Sequence, residues 1–214
     1  MFDPKANHWF MCGITGSGKT TFGASIFEKV DTLAIFINTS EERIPERKSQ
    51  IVVYSVDELL RAISLDARKI CFNPHEDRDI SVSDVEQICK VMLGLGRQIH
   101  KNKRFIAVFG HIFIDEIHEF SSLHRPNVNI DRIWKRGRRY GIIGIGISQR
   151  PADVSHTILT QCRYHVIFRL GQYEIPYFER YKIPIEDHKE WLKQNYHFCI
   201  FDGEEVKRYY PIKL

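Results

Sequence analysis

The sequence predicts an α/β fold in which a mostly parallel sheet is covered by helices on both faces, and three observations carry that prediction. Short apolar runs alternate with helical or polar segments, which is typical of a wound α/β chain. Most runs are apolar at consecutive rather than alternate positions, as strands buried on both faces require. A glycine-rich loop at 13–20 separates the first run from the first helical pattern. With 214 residues, 43% of them hydrophobic, the chain is expected to form one domain, 1–214.

The strand candidates are the apolar runs at residues 9–12, 33–37, 51–54, 70–72, 105–114, 142–147, 166–168 and 198–201. Helices are predicted at residues 20–29, 56–65, 83–100, 130–140 and 185–194. Ser83 and Glu86 have the spacing of a capping box, which places the start of the third helix at Ser83. Gly94 and Gly96 are expected to weaken or bend that helix. Gly110 interrupts the fifth run and indicates either a bulge or a break between two strands.

The last segment, residues 196–212, predicts two strands on either side of Asp202 and Gly203. An Asp-Gly pair between apolar runs is typical of a tight hairpin turn. We therefore expect an antiparallel hairpin at the end of the chain.

The loop at 13–20 spells the phosphate-binding motif GxxxxGK[ST]. Its glycines let the backbone wrap a triphosphate with N–H groups pointing inward, and the following helix presents its positive end to the same anion. Lys19 is predicted to reach the β- and γ-phosphates, and the Thr20 hydroxyl to bind Mg²⁺. The predicted nucleotide-binding residues are Gly13, Thr15, Gly16, Ser17, Gly18, Lys19, Thr20 and Thr21. ATP and Mg²⁺ are the expected cofactors.

Two adjacent carboxylates, Asp115 and Glu116, follow the apolar run that ends at Ile114. The carboxyl ends of strands form the edge at which open α/β sheets bind ligands. Asp115 is suited to hold Mg²⁺, and Glu116 to polarise the water that attacks the γ-phosphate. Gln149 follows the apolar run at 142–147, where its amide could sense the γ-phosphate or orient water. Alternatively, Gln149 only starts a loop before Pro151.

Composition and charge restrict the class of protein. No apolar run approaches the roughly 20 residues of a membrane span, and the first residues lack a signal-peptide core, so we expect a soluble, intracellular protein without a transmembrane segment. The five cysteines form no CxxC pair and are expected to be small buried hydrophobes. The net charge is +4, and basic residues cluster at 101–104 and 135–139. A solvated face is the ordinary explanation of such clusters, but the second one lies just before the run at 142–147.

Three segments together resemble the HerA/FtsK superfamily of DNA-pumping ATPases, over about residues 7–170. They are TGSGKT at 15–20, IDE at 114–116, and GRRYG at 137–141 running into SQRPADV at 148–154, with Ile158, Leu159 and Cys162 beyond. The third segment discriminates best, because many ATPases share the first two. In its length, the chain is similar to the genome-packaging ATPases of membrane-containing icosahedral viruses, including archaeal ones.

The resemblance implies a RecA-like domain that forms a ring, usually a hexamer, and moves double-stranded DNA by ATP hydrolysis. It implies a motor core at about 7–170 and a C-terminal helical and hairpin extension at about 171–214. It also implies that Gln149 is a sensor and that an arginine reaches the ATP of the neighbouring subunit. Arg138 and Arg139 are the best candidates for this arginine, and Arg150 is the third.

The chain departs from the larger members of the superfamily in size, and we therefore expect no N-terminal barrel, membrane anchor or C-terminal winged-helix module. A viral packaging ATPase would work in the host cytoplasm and contact a capsid or membrane vertex, with a transient location at the virion vertex.

Two other function classes compete with the DNA motor. A small nucleoside or metabolite kinase of the P-loop class would carry an arginine-rich mobile lid and a pocket for the phosphate acceptor. A GTPase switch is disfavoured, because the sequence contains neither DxxG nor NKxD.

If the protein is a DNA motor, its contacts with DNA are expected to be to the phosphates and independent of the DNA sequence. Candidate DNA-gripping loops lie at 75–79, 101–104 and 121–129.

Overall fold

A nine-stranded sheet forms the centre of the protein, in a computed structural model that describes residues 7–39, 50–101 and 107–212. The strands are β1 (Trp9–Cys12), β2 (Leu33–Ile37), β3 (Ile51–Val53), β4 (Lys69–Phe72), β5 (Gly110–Ile114), β6 (Ile142–Ser148), β7 (Tyr164–Ile167), β8 (Phe198–Phe201) and β9 (Val206–Tyr209). The α-helices are α1 (Lys19–Lys29), α2 (Val56–Ser64), α3 (Arg78–Ile99), α4 (Val128–Arg136), α5 (His156–Gln161), α6 (Ile175–Arg180) and α7 (Lys189–Leu192). Short 3-10 helices cover Ile117–Glu119, Gly137–Tyr140, Pro151–Asp153 and Glu186–His188.

The strand order is β3-β4-β2-β5-β6-β1-β7-β8-β9. Neighbouring strands from β3 to β7 in this order are parallel, and β8 and β9 are added antiparallel. The hairpin turn between them contains Gly203 at a φ of +97°, and the Asp202 carboxylate accepts hydrogen bonds from the backbone N–H groups of Glu204 and Glu205. The predicted fold class and the C-terminal hairpin are therefore confirmed.

Alternate residues of the strands bury against opposite faces of the sheet. In β1, Trp9 and Met11 pack with Phe22 and Phe27 of α1, while Phe10 belongs to the core on the opposite face. That second core contains side chains of α2, α3, α4, α5, α6 and α7. Because both faces are covered, the parallel strands are apolar at nearly every position.

The central register determines where the polar residues after each strand lie. β6 lies between β1 and β5, with Cys12 paired to Ser148 and Ile114 paired to Gly146. Since all three strands are parallel, the segments that follow them leave the sheet at the same edge. The phosphate loop, Asp115 and Gln149 therefore emerge side by side.

The predicted start of the third helix was wrong. α3 begins at Arg78, because the Asp77 carboxylate caps it by accepting hydrogen bonds from the backbone N–H groups of Asp79 and Ile80. The carboxylate of Glu86 does not reach back to Ser83, but accepts hydrogen bonds from the side-chain amides of Asn127 and Asn129. A tertiary contact thus replaces the capping box.

Other element bounds also differ from the sequence prediction. The helix expected at 130–140 is α4 followed by a 3-10 turn, and the one expected at 185–194 is a 3-10 turn followed by the short α7. α5 and α6 were not predicted, because six residues are too few to show a helical period. In the fifth apolar run, residues 105 and 106 lie outside the described ranges, residues 107–109 are not in a strand, and β5 begins at Gly110.

Gly96 allows α3 to pack closely against the 3-10 turn that precedes β6. A Cβ atom at Gly96 would lie 2.4 Å from the backbone oxygen of Tyr140, so only glycine lets the helix pack so close to the 3-10 turn. α3 continues through both glycines to Ile99. A Cβ atom at Gly94 would meet nothing within 4 Å.

The two glycines give a matched pair of stability tests. Gly96→Ala forces the helix away from backbone atoms, and we expect it to lower the free energy of unfolding by about 1–3 kcal/mol. Gly94→Ala only improves helix propensity, and we expect it to raise that free energy by about 0.5–1 kcal/mol. Urea unfolding of both variants measures the two changes, and equal midpoints would refute the close-packing explanation.

Candidate active site

The loop between β1 and α1 forms a cradle for an anion. Gly16 and Gly18 have φ values of +73° and +101°, in the left-handed region that favours glycine. Gly18 is also the N-cap of α1 and supplies no side-chain acceptor, and the first turn of α1 contains no acidic residue. The N–H groups at the start of this helix therefore have no capping side chain, which suits a phosphate.

Polar groups within the loop also fit a phosphate ligand. Lys19 is buried, and its ammonium group donates a hydrogen bond to the carbonyl of Ile14 at 3.1 Å. The Ile14 N–H donates in turn to the carbonyl of Arg169, just after β7, at 2.8 Å. The buried hydroxyl of Ser17 has no hydrogen-bond partner among the described residues. A bound phosphate would accept hydrogen bonds from the N–H groups at the start of α1 and from the Ser17 hydroxyl.

Asp115 and Glu116 lie at the tip of β5 in two different environments. Asp115 is 1% exposed and accepts a hydrogen bond from the Glu116 N–H at 3.1 Å. Glu116 has a φ of +43°, an unusual value for a non-glycine residue, and such strain concentrates at functional sites. Its carboxylate lies within reach of the next strand tip and accepts a hydrogen bond from the backbone N–H of Gln149 at 3.1 Å.

Burial is the main influence on the Glu116 carboxyl group. It raises the pKa above the ordinary value, the negative charge of Asp115 adds to the increase, and the Gln149 N–H and Lys19 oppose it. A carboxylate with a raised pKa is a better proton acceptor than an exposed one. The environment thus matches the role of a general base.

Gln149 connects the phosphate loop to the carboxylate. Its side-chain oxygen accepts a hydrogen bond from the Thr15 hydroxyl at 2.6 Å, while its N–H donates to Glu116. The structure therefore brings Thr15, Gln149 and Glu116 into one hydrogen-bonded chain. Gln149 does more than begin a loop, although its role in sensing the γ-phosphate stays a prediction.

His118 is a residue of this site that the sequence reasoning missed. Its Nδ1 atom lies 3.3 Å from the Glu116 carboxylate and 3.0 Å from the Ser148 hydroxyl. Burial lowers the pKa of His118 below the ordinary value of a histidine, which favours the neutral ring. The sequence offered one indication of this role, which is that His118 follows Glu116 by two residues. Its contacts make it a residue that positions the Glu116 side chain.

A buried carboxylate ties the segments after β5 and β6 together. Asp131 of α4 accepts hydrogen bonds from the hydroxyls of Ser121, at 2.7 Å, and Ser155, at 2.9 Å. The Ser155 N–H also donates to the Ser121 carbonyl, and Ser122 and Val154 form an isolated bridge. The loops that carry Glu116 and Gln149 are therefore held to each other and to α4.

The predicted arginines occupy two different places. Arg138 and Arg139 are exposed residues of the 3-10 helix before β6, at the edge opposite the phosphate loop. The seven residues of β6 separate the two edges by about 20 Å. These arginines therefore do not approach the phosphate loop of their own chain. Arg150 lies at the phosphate edge, with its guanidinium 3.9 Å from the carboxylate of Asp153.

Two of the three predicted DNA-gripping loops lie at the phosphate edge. Residues 75–79 follow β4 and residues 121–129 follow β5, whereas residues 102–104 lie outside the described ranges. A cavity of about 1000 Å³ opens at this edge, beside His118 and Glu119, and is lined also by Asn73, His75 and Arg78.

The cysteines have the environment expected of structural residues. All five are free and buried, and burial raises the pKa of each thiol. In the ranges that the structure describes, none of the helices is long and apolar enough to span a bilayer.

Comparison with known proteins gives a clear match in structure. No family model matches the chain, and no curated protein matches it in sequence. Among solved structures, the genome-packaging NTPase B204 of Sulfolobus turreted icosahedral virus 2, in complex with ATPγS, is similar with a TM-score of 0.74 at 16% identity, covering 99% of this chain and 100% of that one. The DNA-packaging ATPase B204 of Sulfolobus turreted icosahedral virus matches with a TM-score of 0.68 at 19% identity, covering 99% and 100%. VirB4 of Thermoanaerobacter pseudethanolicus matches with a TM-score of 0.65 at 11% identity, covering 100% and 92%.

These matches confirm the expected resemblance to genome-packaging ATPases at the level of fold. The likeness extends over the C-terminal hairpin as well as the strands that carry the motifs, because nearly the whole chain is covered in each match. The fold is that of a P-loop NTPase.

Removing the charge of Glu116 is expected to stabilise the fold. Because burial holds its pKa above 4.5, the folded chain keeps a proton that the unfolded chain has released between the two pKa values. The free energy of unfolding therefore falls as pH rises through that interval, and the full penalty is present at neutral pH. Glu116→Gln should raise the melting temperature at pH 7, and the difference from the parent protein should vanish below the unfolded pKa of glutamate.

Glu119→Gln is the matched control, since Glu119 is exposed and lies in the 3-10 helix that follows Glu116 directly. It should leave the melting temperature nearly unchanged. A Glu116→Gln protein that is less stable than its parent at pH 7 would contradict the assignment of a costly buried charge.

Proposed function

We propose that this chain is an ATP-hydrolysing motor that acts as a ring on double-stranded DNA, of the genome-packaging kind. The observation that supports it best is the hydrogen-bonded chain from Thr15 through Gln149 to Glu116, which joins the phosphate loop, the tip of β6 and the general base. The fold-level likeness to B204 and VirB4 supports the same proposal.

The residues divide the hydrolysis into separate tasks. The loop N–H groups and Lys19 bind the triphosphate and stabilise the charge that develops on it. Glu116 orients the attacking water and accepts its proton, and the raised pKa of its carboxyl suits that step. Gln149 lies between the two groups and can report whether the γ-phosphate is present.

Magnesium fits the oxygen ligands at this edge. The buried carboxylate of Asp115 and the hydroxyl of Thr20 are hard oxygen donors, which Mg²⁺ prefers together with phosphate oxygens. We propose that these two residues hold the ion, which would neutralise charge on the β- and γ-phosphates. Lys19 and the loop N–H groups would then act on the phosphates directly, and Glu116 on the attacking water.

A small-molecule kinase is the competing function. The cavity of about 1000 Å³ beside His118 and Glu119 offers space for a phosphate acceptor. The Glu116 carboxylate at the phosphate edge can accept a proton from water or from an acceptor hydroxyl, so both functions would use the same residue. The motor proposal predicts a response to DNA, and the kinase proposal does not.

The wider assignment follows from the same likeness. A packaging motor would work in the host cytoplasm and at a capsid or membrane vertex of the virion. A hexameric ring around the duplex would contact DNA phosphates through loops at 75–79 or 121–129.

DNA-dependent hydrolysis tests the proposed function. Long duplex DNA should raise the ATPase rate, equally for unrelated sequences, and the affinity for DNA should fall steeply with added salt because counterion release drives it. Lys19→Ala should lose nucleotide binding and turnover, whereas Glu116→Gln should still bind ATP but not hydrolyse it. An ATPase rate that is the same with and without DNA at several salt concentrations would favour the kinase.

Mixed variants test assembly and the arginines. Glu116→Gln should be inactive because it lacks the proposed general base. The double variant Arg138→Ala with Arg139→Ala should also be inactive, because an arginine supplied by a neighbour contributes about 10³ to 10⁵ in turnover. In mixed rings, some interfaces pair an intact Glu116 with intact arginines, so activity should partly return. Arg136→Ala, an exposed change on the same surface, should keep its activity.

A mixture that stays inactive while the two variants co-assemble would remove Arg138 and Arg139 from this role. Arg150 at the phosphate edge would then be the next residue to substitute.

A further inference from the structure

Tyr196 is an exposed aromatic residue that touches the phosphate loop. It lies in the turn between α7 and β8 and is 59% exposed. Its ring carbon Cδ1 is 3.3 Å from the position that a Cβ atom would take at Gly18. Gly18 is the N-cap of α1, so the ring edge lies against the start of the helix that receives the phosphates.

The backbone of Tyr196 adopts a conformation that favours glycine. Its φ is +60°, in the left-handed region, which costs a non-glycine residue on the order of 1 kcal/mol or more. A glycine would adopt the same turn without that cost. The surrounding turn is held by the hydrogen bond from the His197 N–H to the Gln194 carbonyl, which needs no tyrosine ring.

The two flanks of the phosphate loop define the direction of a bound nucleotide. Thr15 contacts Gln149 on the β6 side, where Glu116 also lies. Gly18 faces Tyr196 and Phe168 on the β7 side, and β7 lies beyond β1 from β6. A nucleotide whose γ-phosphate lies beside Glu116 must therefore extend its ribose and base toward the β7 side.

We propose that Tyr196 is the platform on which the base of the nucleotide stacks. This inference rests on the proposed nucleotide binding and adds the part of the site that holds the base. An exposed aromatic ring binds a base through its π-face, and such stacking tolerates different bases because all of them have one. ATP and GTP are therefore both expected to bind through this contact.

A second place for the base exists on the same flank. A cavity of about 160 Å³ is lined by Leu170, Ile175 and Leu192 and reached past Arg169 and Gln172. Its walls combine aliphatic side chains with Lys189 and Lys193, and none of its lining residues has an aromatic ring for stacking. The exposed ring against Gly18 favours Tyr196, and the experiment separates the two places.

Calorimetric titration of the full chain tests the platform with two probes, ATP with Mg²⁺ and inorganic tripolyphosphate, which has no base. Tyr196→Gly removes the ring and relieves the backbone, so the melting temperature should be unchanged or higher. Its affinity for ATP should fall about 5- to 150-fold, the range of one lost base stack, while its affinity for tripolyphosphate stays the same. Tyr196→Phe keeps the ring and should bind ATP like the parent protein.

Each other outcome has a definite meaning. Equal ATP affinities of the parent and Tyr196→Gly would overturn the platform, and a loss in Gln172→Ala instead would place the base in the small cavity. Equal losses for ATP and tripolyphosphate would show that the ring acts on the loop and not on the base. A parent protein that binds neither probe would refute the proposed function itself.

Discussion

The site depends on the parallel register of three strands. β6 lies between β1 and β5, and the pairings of Cys12 with Ser148 and of Ile114 with Gly146 fix how far each strand extends. Only this register lets the Gln149 side chain reach Thr15 while its N–H reaches Glu116. A shift of one residue in β6 would also turn its side chains to the other face of the sheet. The burial of the apolar strand residues sets the register, and the register in turn sets the positions of Thr15, Gln149 and Glu116 at the strand ends.

Two residues at this edge of the sheet have unfavourable backbone conformations. Glu116 combines a left-handed backbone with a partly buried carboxyl group whose pKa is raised. Tyr196, beside the phosphate loop, also has a left-handed backbone. Such strain persists only where surrounding structure determines it fully. Here the determinants are the buried sheet and the hydrogen bonds of Asp131 with Ser121 and Ser155, which fix the loops after β5 and β6.

The sequence predicted the features that local pattern controls, and missed those that tertiary contacts decide. The apolar strands, the phosphate loop and the carboxylates after Ile114 are readable because each is encoded within a few consecutive residues. The predicted start of α3 was wrong because the Glu86 carboxylate accepts hydrogen bonds from Asn127 and Asn129, about forty residues away, and not from its own helix. His118 and Tyr196 were missed because each gains its meaning from a partner on another strand or loop.

The position of α4 links the two edges of the sheet within one subunit. Its first turn holds Asp131, which fixes the loops beside Glu116 and Gln149, and its last turn leads into the 3-10 helix of Arg138 and Arg139. A helix of nine residues spans about 13 Å and moves as a rigid element. In the proposed ring, the arginines would face the nucleotide of the neighbouring subunit while Asp131 is bonded to the loops of its own site. A displacement of those loops on hydrolysis would act on α4 through the two hydroxyl–carboxylate bonds, and α4 leads directly into the turn that carries the arginines.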